Sequence, residues 1–300
     1  MKRPSLRKAI REARKNKQAL LHCNVASFEQ LKAVAQTAVR LDVPMIVGVS
    51  EGERDYLGVL QIRSLVSSYN ETYGREEKKF QLFLNADHTH SLDKVEEAAE
   101  AKFDAILFDG GKLDFEENIR KTKEAAERAR ALHKQVLVEG ELGYIGSSSE
   151  IFEDLPEGAA IRQEDLTRTE DAKRFVAETG IDLLAPAVGN VHGRFRSAPN
   201  PRLDIKRVRA IRRAARVPLV LHGGSGISES DIREAVLGGM VIVHIGTELR
   251  IAWKEGMQAA FAEHEREIAP YKILPGAVSA IETVIDRYAK LVSGSQHEET

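Results

Sequence analysis

Residues 83–93 read FLNADHTHSLD. A short apolar run closes on Asn85, Asp87, His88 and His90. After Ser91 a new pattern begins, SLDKVEEAAEAK, with its apolar residues three and four apart. The first part suits a strand buried on both faces, the second an amphipathic helix with a serine N-cap. The unit recurs along the chain. The apolar runs ALLHCNV, VPMIVGVS, FQLFLNADH, DAILFDGG, QVLVEGELG, DLLAPAVGNVHG, VPLVLHGGSG and VIVHIGTEL alternate with helical stretches such as SFEQLKAVAQTAVRL, DFEENIRKTKEAAERARAL and SESDIREAVLGG. Such alternation predicts a parallel sheet, and about eight units over roughly 250 residues predict a closed (β/α)8 TIM barrel. An open doubly wound sheet is the second choice.

No composition break divides the 300 residues, so one domain over 1–300 is expected. Residues from about 250 to 292 read as extra C-terminal helices suited to an oligomer surface. The stretch from Ser147 to Thr169 is long for a loop after a strand, as functional loops are. The formal net charge of −2 gives no electrostatic reason to expect nucleic acid as a partner. The single cysteine, Cys23, excludes an intrachain disulfide and fits a reducing, cytoplasmic setting. No apolar run approaches the roughly 20 residues that cross a bilayer, so no membrane partner is expected. The basic N-terminus MKRPSLRKAIREARKNKQ lacks the apolar core of a secretory signal and reads as a helix packed on the domain.

In a barrel of this type the active site lies at the C-terminal strand ends. The polar residues closing the runs are Asn24, Ser50, Asp87 with His88, Asp109, Glu141, His192, His222 and His244. Six of the nine histidines fall at such ends: His22, His88, His90, His192, His222 and His244. Imidazole suits Zn²⁺, and a catalytic zinc commonly takes three protein ligands and leaves a position open. His88, His192 and His222, from the third, sixth and seventh strands, are the predicted ligands. Asp87 points differently from its neighbour and stays available as a general acid/base. His90 reads as a polar rim residue.

A second signal is VLHGGSGISESDI. After the seventh strand come Gly223, Gly224, Ser225 and Gly226, and then a helix starts. Glycines let a backbone approach an anion, and N–H groups at a helix start bind phosphate. Gly246 and Thr247 close the eighth strand and complete the cradle, with Arg196 as a source of charge. A metal beside a phosphate cradle points to a phosphorylated, carbonyl-bearing substrate.

In combination these motifs resemble the class II, metal-dependent ketose-bisphosphate aldolases, which include the fructose- and tagatose-bisphosphate aldolases. The resemblance runs from about Asn24 to Ala280. NADH at 85–88 matches the Asp-His of the catalytic acid and first zinc ligand, and GNVHG at 189–193 and LHGGSG at 221–226 match the other two ligand motifs. VEGELG at 138–143 matches a Glu-x-Glu-Leu-Gly strand. The resemblance implies reversible aldol chemistry on a sugar phosphate, with dihydroxyacetone phosphate as donor and zinc or another divalent ion as Lewis acid. A monovalent cation is a further candidate cofactor. Asp87 would exchange the proton of the acceptor-derived hydroxyl. Glu141 and Asp109 match positions that touch the metal in alternative states, and Asn24 and Ser50 match substrate-contacting positions. Glu150, with Glu153 behind it, is the candidate for moving the carbon-bound proton. Gly193, Arg196, Gly223, Gly224, Ser225 and Thr247 would hold the donor phosphate. Family habit implies a homodimer or homotetramer.

The chain departs from the family at several places. His244 stands where Asn is usual, Tyr271 where an Arg usually reaches the neighbouring subunit's second phosphate, and Lys272 follows it. GSSSE replaces a Gly-Gly pair with acidic residues, DGG at 109–111 replaces Asp-Gly-Ser, and HCN at 22–24 replaces Phe-Asn. The expected activity is therefore aldol cleavage of a ketose phosphate, with fructose 1,6-bisphosphate first among substrates and the acceptor side altered. The alternatives are an aldolase for another aldehyde, another metal-dependent sugar-phosphate lyase or epimerase, and a non-catalytic sugar-phosphate-binding homologue.

Overall fold

The computed structural model describes residues 4–74, 79–143, 145–146, 151–152, 165–195 and 200–294, with 151–152 and 194–195 as backbone only. The apolar runs form eight parallel strands: β1 (Leu20–Asn24), β2 (Pro44–Val49), β3 (Gln81–Thr89), β4 (Ala105–Phe108), β5 (Leu137–Leu142), β6 (Leu183–Pro186), β7 (Leu219–Leu221) and β8 (Met240–Ile245). Each pairs with the next, and β8 pairs back onto β1 with His244 opposite His22, so the barrel is closed. Ile151–Phe152 and Arg194–Phe195 form a separate two-stranded parallel ladder outside it.

The helices start where the side chains predict. Ser27, Ser91, Asp114 and Ser228 each accept an N–H from the first turn of α2 (Phe28–Leu41), α5 (Leu92–Glu100), α6 (Phe115–Leu132) and α9 (Glu229–Gly238). Between β2 and β3 lie α3 (Glu51–Leu57) and α4 (Val59–Tyr73), separated at Gly58 with φ +83°. α7 (Thr169–Thr179) and α8 (Ile205–Ala215) flank β6. At the C-terminus α10 (Thr247–Glu263) and α12 (Pro275–Val292) pack together, and the short α11 (Pro270–Ile273) joins them. A Cβ on Gly256 of α10 would sit 2.9 Å from the Ala277 Cα, so glycine sets that close approach.

Side-chain alternation along the strands sorts the interior into layers. Lowest is an apolar floor that includes Leu20, Ile46, Phe83, Leu137, Leu183 and Ile242. The N-terminal helix α1 (Leu6–Lys15) belongs to the same cluster through Leu6, Ala9, Ile10 and Ala13, which closes the barrel from below. Two residues further along the strands the interior turns polar, with His22, Asn85, Glu139 and His244, all buried. The outward-facing residues, such as Cys23, Val47, Leu84 and Val138, pack under the helices.

Candidate active site

Above the polar layer opens a cavity of about 350 Å³, lined among others by Asn24, Ser50, Asp87, His88, His192 and His222. The route by which each histidine arrives differs. His222 directly follows β7, while His192 lies six residues beyond Pro186, the end of β6, rather than on the strand itself. His88 lies within β3 with φ +38°, and the pairing register with β4 shifts between Ala86 and Thr89. A regular strand would turn Asp87 and His88 to opposite faces. The left-handed backbone at His88 lets both line the cavity.

Each imidazole has one nitrogen engaged. His88 Nδ1 lies 2.8 Å from Asp109 Oδ2, His192 Nδ1 donates to the Gly146 carbonyl at 2.9 Å, and His222 Nε2 lies 2.8 Å from Glu139 Oε1. The other nitrogens, His88 Nε2, His192 Nε2 and His222 Nδ1, converge, and His222 Nδ1 lies 3.3 Å from His88 Nε2. The ligand nitrogens of the three fall within 4.8 Å of one another. Carboxylate or carbonyl partners on the far nitrogen are how metal-binding histidines are usually oriented. This donor set fits a divalent ion.

The acids crowd round it. Asp109 also accepts the Gly111 N–H at 3.0 Å, and His88 Nδ1 lies 4.0 Å from Glu141 Oε2. His88, Asp109 and Glu141 form a second group with metal-ligand spacing. A Cβ at Gly111 would stand 2.6 Å from Glu141 Oε1, so glycine where serine is usual gives that carboxylate room. Asp87 Oδ2 accepts from Asn24 Nδ2 at 2.8 Å, while its buried Oδ1 has no hydrogen-bond partner among the described residues. His244 Nδ1 is 3.6 Å from that oxygen, and neither ring nitrogen of His244 has a partner there.

Burial and proximity set the charges. Burial, then neighbouring His88, pushes the His222 and His192 imidazoles down to about 3, so both are neutral. Burial pulls His88 down as well, but Asp87 and Asp109 outweigh it and hold its proton up to about 10. Burial pushes Glu139 up to about 8 and Glu141 well above the carboxylate range. For Asp87 burial is outweighed by His88 and the other imidazoles, which keep it well below that range.

After β7 the chain turns on glycine, and the next helix, α9, begins at Glu229. Gly223 has φ +63°, and a Cβ there would meet the Val191 carbonyl at 2.3 Å. Gly224 N–H donates to the His244 carbonyl at 3.0 Å, and Ser225 Oγ accepts the Gly246 N–H at 3.3 Å. Gly193, Gly223, Ser225, Gly246 and Thr247 all line the cavity. Arg196, Glu150 and Glu153 lie outside the described residues. Tyr271 is exposed and Lys272 pairs with Glu267 at 2.7 Å, and neither lines the cavity. His90 is exposed on the rim.

Sequence reasoning passed over three residues that the geometry makes prominent. Glu139 orients His222, and its signal was the two-residue spacing from Glu141 in VEGELG, which puts both on one face of β5. Glu53 ties Asn24, the Ser50 N–H and Arg250 together. Arg54 is fully buried and donates to the Val49 and Asp87 carbonyls and to Thr89 Oγ1.

Comparison with known proteins gives the family. A family model described as fructose-bisphosphate aldolase class-II matches residues 4–297. The 6-phospho-5-dehydro-2-deoxy-D-gluconate aldolase of Bacillus subtilis (strain 168) is 33% identical over 282 residues, spanning 94% of this chain and 92% of that protein. The fructose-bisphosphate aldolase of Geobacillus stearothermophilus is 31% identical over 298 residues, 97% of this chain and 98% of that one. The crystal structure of the YdjI aldolase from Escherichia coli K12 superposes with a TM-score of 0.79 at 27% identity, with 99% of each chain covered. A closed barrel, convergent histidines and a match over nearly the whole length lead to one assignment: the chain belongs to the class-II fructose-bisphosphate aldolase family, whose members are lyases.

Proposed function

We propose that the protein is a divalent-metal-dependent aldolase that cleaves a ketose phosphate to dihydroxyacetone phosphate and an aldehyde. The observation that carries this reading is the convergence of one ring nitrogen each from His88, His192 and His222, each ring oriented from its far side, beside an oxygen of Asp87 that has no hydrogen-bond partner among the described residues. His88, His192 and His222 would hold the ion, with zinc first on donor chemistry. Asp109 and Glu141 are its alternative contacts. When bound there, the ion supplies Lewis acidity at the donor carbonyl.

The chain's own groups do the rest. Asp87 is ionised and its Oδ1 has no hydrogen-bond partner among the described residues, so it can take the proton of the hydroxyl on the carbon beyond the scissile bond and return it in the condensation direction. Asn24 holds the other oxygen and fixes the carboxylate's orientation. Glu150 is the sequence candidate for the carbon-bound proton of the donor. Gly193, Gly223, Gly224, Ser225 and Thr247, with Arg196, are assigned to the donor phosphate. Asn24, Ser50 and His244 are assigned to the sugar hydroxyls.

Fructose 1,6-bisphosphate is the first substrate to try, and 6-phospho-5-dehydro-2-deoxy-D-gluconate, named by the relative at 33% identity, is the second. The experiment is cleavage of each by the purified protein, with and without a chelator, followed by zinc add-back. Activity that the chelator abolishes and zinc restores is the expected result. A metal-loaded protein that cleaves neither, and does not exchange the carbon-bound proton of dihydroxyacetone phosphate with solvent, overturns the reading.

A further inference from the structure

We propose that the closed end of the barrel carries a second anion site, which takes a short phosphate chain between the arginines of α1 and α8. The inference goes beyond the aldolase reading and does not rest on it. A groove of about 560 Å³ is lined by Arg14 of α1, by Arg209, Arg212 and Arg213 of α8, by Arg216 at its C-cap and by Gly238 of α9. Arg14 also lines a smaller depression with Arg7 and Arg11 of α1. Leu137, Leu183 and Pro218 line that depression too, at the N-terminal ends of β5, β6 and β7. The groove is therefore at the end of the barrel opposite the candidate active site.

These arginines do more than finish a helix. Arg209, Arg212, Arg213 and Arg216 stand three and four apart, and Ile205–Ala215 contains no acidic residue. Like charges so spaced destabilise a helix. The helix dipole presents about half a negative charge at the C-terminus, which one cation satisfies and four exceed. Elsewhere the chain pairs its arginines, Arg40 with Asp286, Arg128 with Glu96, Arg174 with Glu116 and Arg202 with Asp231. The groove itself has no acidic lining residue among those described. Asp182, beside the smaller depression, already accepts from Arg7, Arg130 and the Val138 N–H. Arg216 keeps a side chain at φ +62°, a C-cap conformation that glycine usually takes. The Arg212 stem lies over Gly239, where a Cβ would come within 2.2 Å of its Cδ.

The lining sets the class of ligand. Guanidinium forks match phosphate oxygens, and several of them without an acid call for several adjoining negative charges. No aromatic ring lines either depression among the described residues, so there is no platform on which a base would stack. The occupant is a chain of phosphates, free or carried by a nucleotide whose base is not read.

The test is calorimetry and thermal unfolding of the full-length protein with tripolyphosphate and with ATP, magnesium being in excess so that neither strips a site metal. Both should bind with similar affinity and raise the melting midpoint. Arg14→Gln and Arg213→Gln, one from each helix, should each weaken tripolyphosphate binding about 10- to 100-fold, the loss expected for hydrogen bonds to a charged group. Without ligand both variants should melt at or above the wild-type midpoint, since each removes one of several like charges. An affinity unchanged in both variants places the ligand elsewhere, such as the donor cradle, and overturns the site. Arg14→Lys and Arg213→Lys variants that bind as tightly as wild type would reduce it to a diffuse ionic atmosphere and overturn it as well. An oligoribonucleotide bound more tightly than tripolyphosphate, and released by the same substitutions, would make the groove a nucleic-acid face and overturn the small-ligand assignment.

Discussion

The His22 ring lies flat against the His244 ring, with centroids 3.4 Å apart and planes 5° from parallel. The two residues face each other across the β1–β8 pairing that closes the barrel. Asn85 Nδ2 holds His22 Nε2 at 3.0 Å, and Gly48 leaves the space the ring fills, since a Cβ there would lie 1.9 Å from His22 Cε1. Gly48→Ala should therefore cost about 1–3 kcal/mol through overpacking. In a His22→Ala background the same change should cost much less, because the methyl then enters vacated space. A double-mutant cycle in unfolding free energy checks this, and additive costs would show that His22 does not occupy the space Gly48 leaves.

Glu139 contributes through His222. Its Oε1 sits 2.8 Å from His222 Nε2, and both side chains are buried. Glu139→Gln keeps the volume and weakens the acceptor. Zinc affinity, read by competition with a chromophoric chelator, should fall about 10- to 100-fold. An unchanged affinity would remove Glu139 from the ligand-orienting role.

Gly223→Ala should damage the site from the other side. The position has φ +63° and faces the Val191 carbonyl. The neighbours of that contact are His192 and His222, so the backbone must shift between two of the candidate metal ligands. Left-handed backbone alone costs a residue with a Cβ about 1–2 kcal/mol. We expect a lower thermal midpoint together with a raised KM for phosphorylated substrate.

Asp182 gives a pH signature away from the site. Burial raises its pKa, but the Val138 N–H and the Arg130 and Arg7 guanidiniums outweigh that and hold it below the usual carboxylate range. A depressed folded pKa contributes stability above the unfolded value, and that contribution is lost as pH falls through the folded one. Asp182→Asn should thus cost about 1–3 kcal/mol near neutrality. The difference from wild type should shrink once both are acidified below the carboxylate range. A gap that persists in acid would assign the effect to packing.

Arg54 is a fully buried charged residue. Its three hydrogen bonds join the end of β2 to the backbone and side chain around Asp87 and Thr89. Lysine has no fork with which to reach all three acceptors. Arg54→Lys should destabilise by about 2–4 kcal/mol, a size typical of hydrogen bonds lost by a buried charged group, and should loosen the strand that carries His88. Thermal unfolding and zinc affinity measured together separate the two effects.

Much of the barrel was legible because its signal is local. Short two-face-buried runs, N-cap residues and helical periodicity all lie within a dozen residues of one another, and Ser27, Ser91, Asp114 and Ser228 cap where their side chains predict. The candidate ligands were legible because strand ends in a closed barrel share one rim. The residues that were missed act across strands. Arg54 sits in a stretch, SEGERDYLG, that reads as a solvated helix, and only the fold reveals that its guanidinium turns inward. Arg250 is hidden in the same way, one turn past a recognised strand end. His192 was placed on a strand because DLLAPAVGNVHG is largely apolar, yet barrel pairing stops at Pro186 and residues 187–193 form a buried loop.

The candidate ligand histidines also bear on the mechanics of the molecule. His88 and His222 are 134 positions apart, yet their rings touch at 3.3 Å. An ion shared by His88, His192 and His222 would be a removable cross-link between β3 and the segments that follow β6 and β7 at the open end of the barrel, and it would form only when the chain is folded. Its binding energy is then also resistance to unfolding, scaling with free ion concentration over the dissociation constant. The apo form should open first at that rim, and limited proteolysis with and without zinc would show the staple as protection of the segments around His88, His192 and His222, while α1 at the floor is cut at the same rate in both.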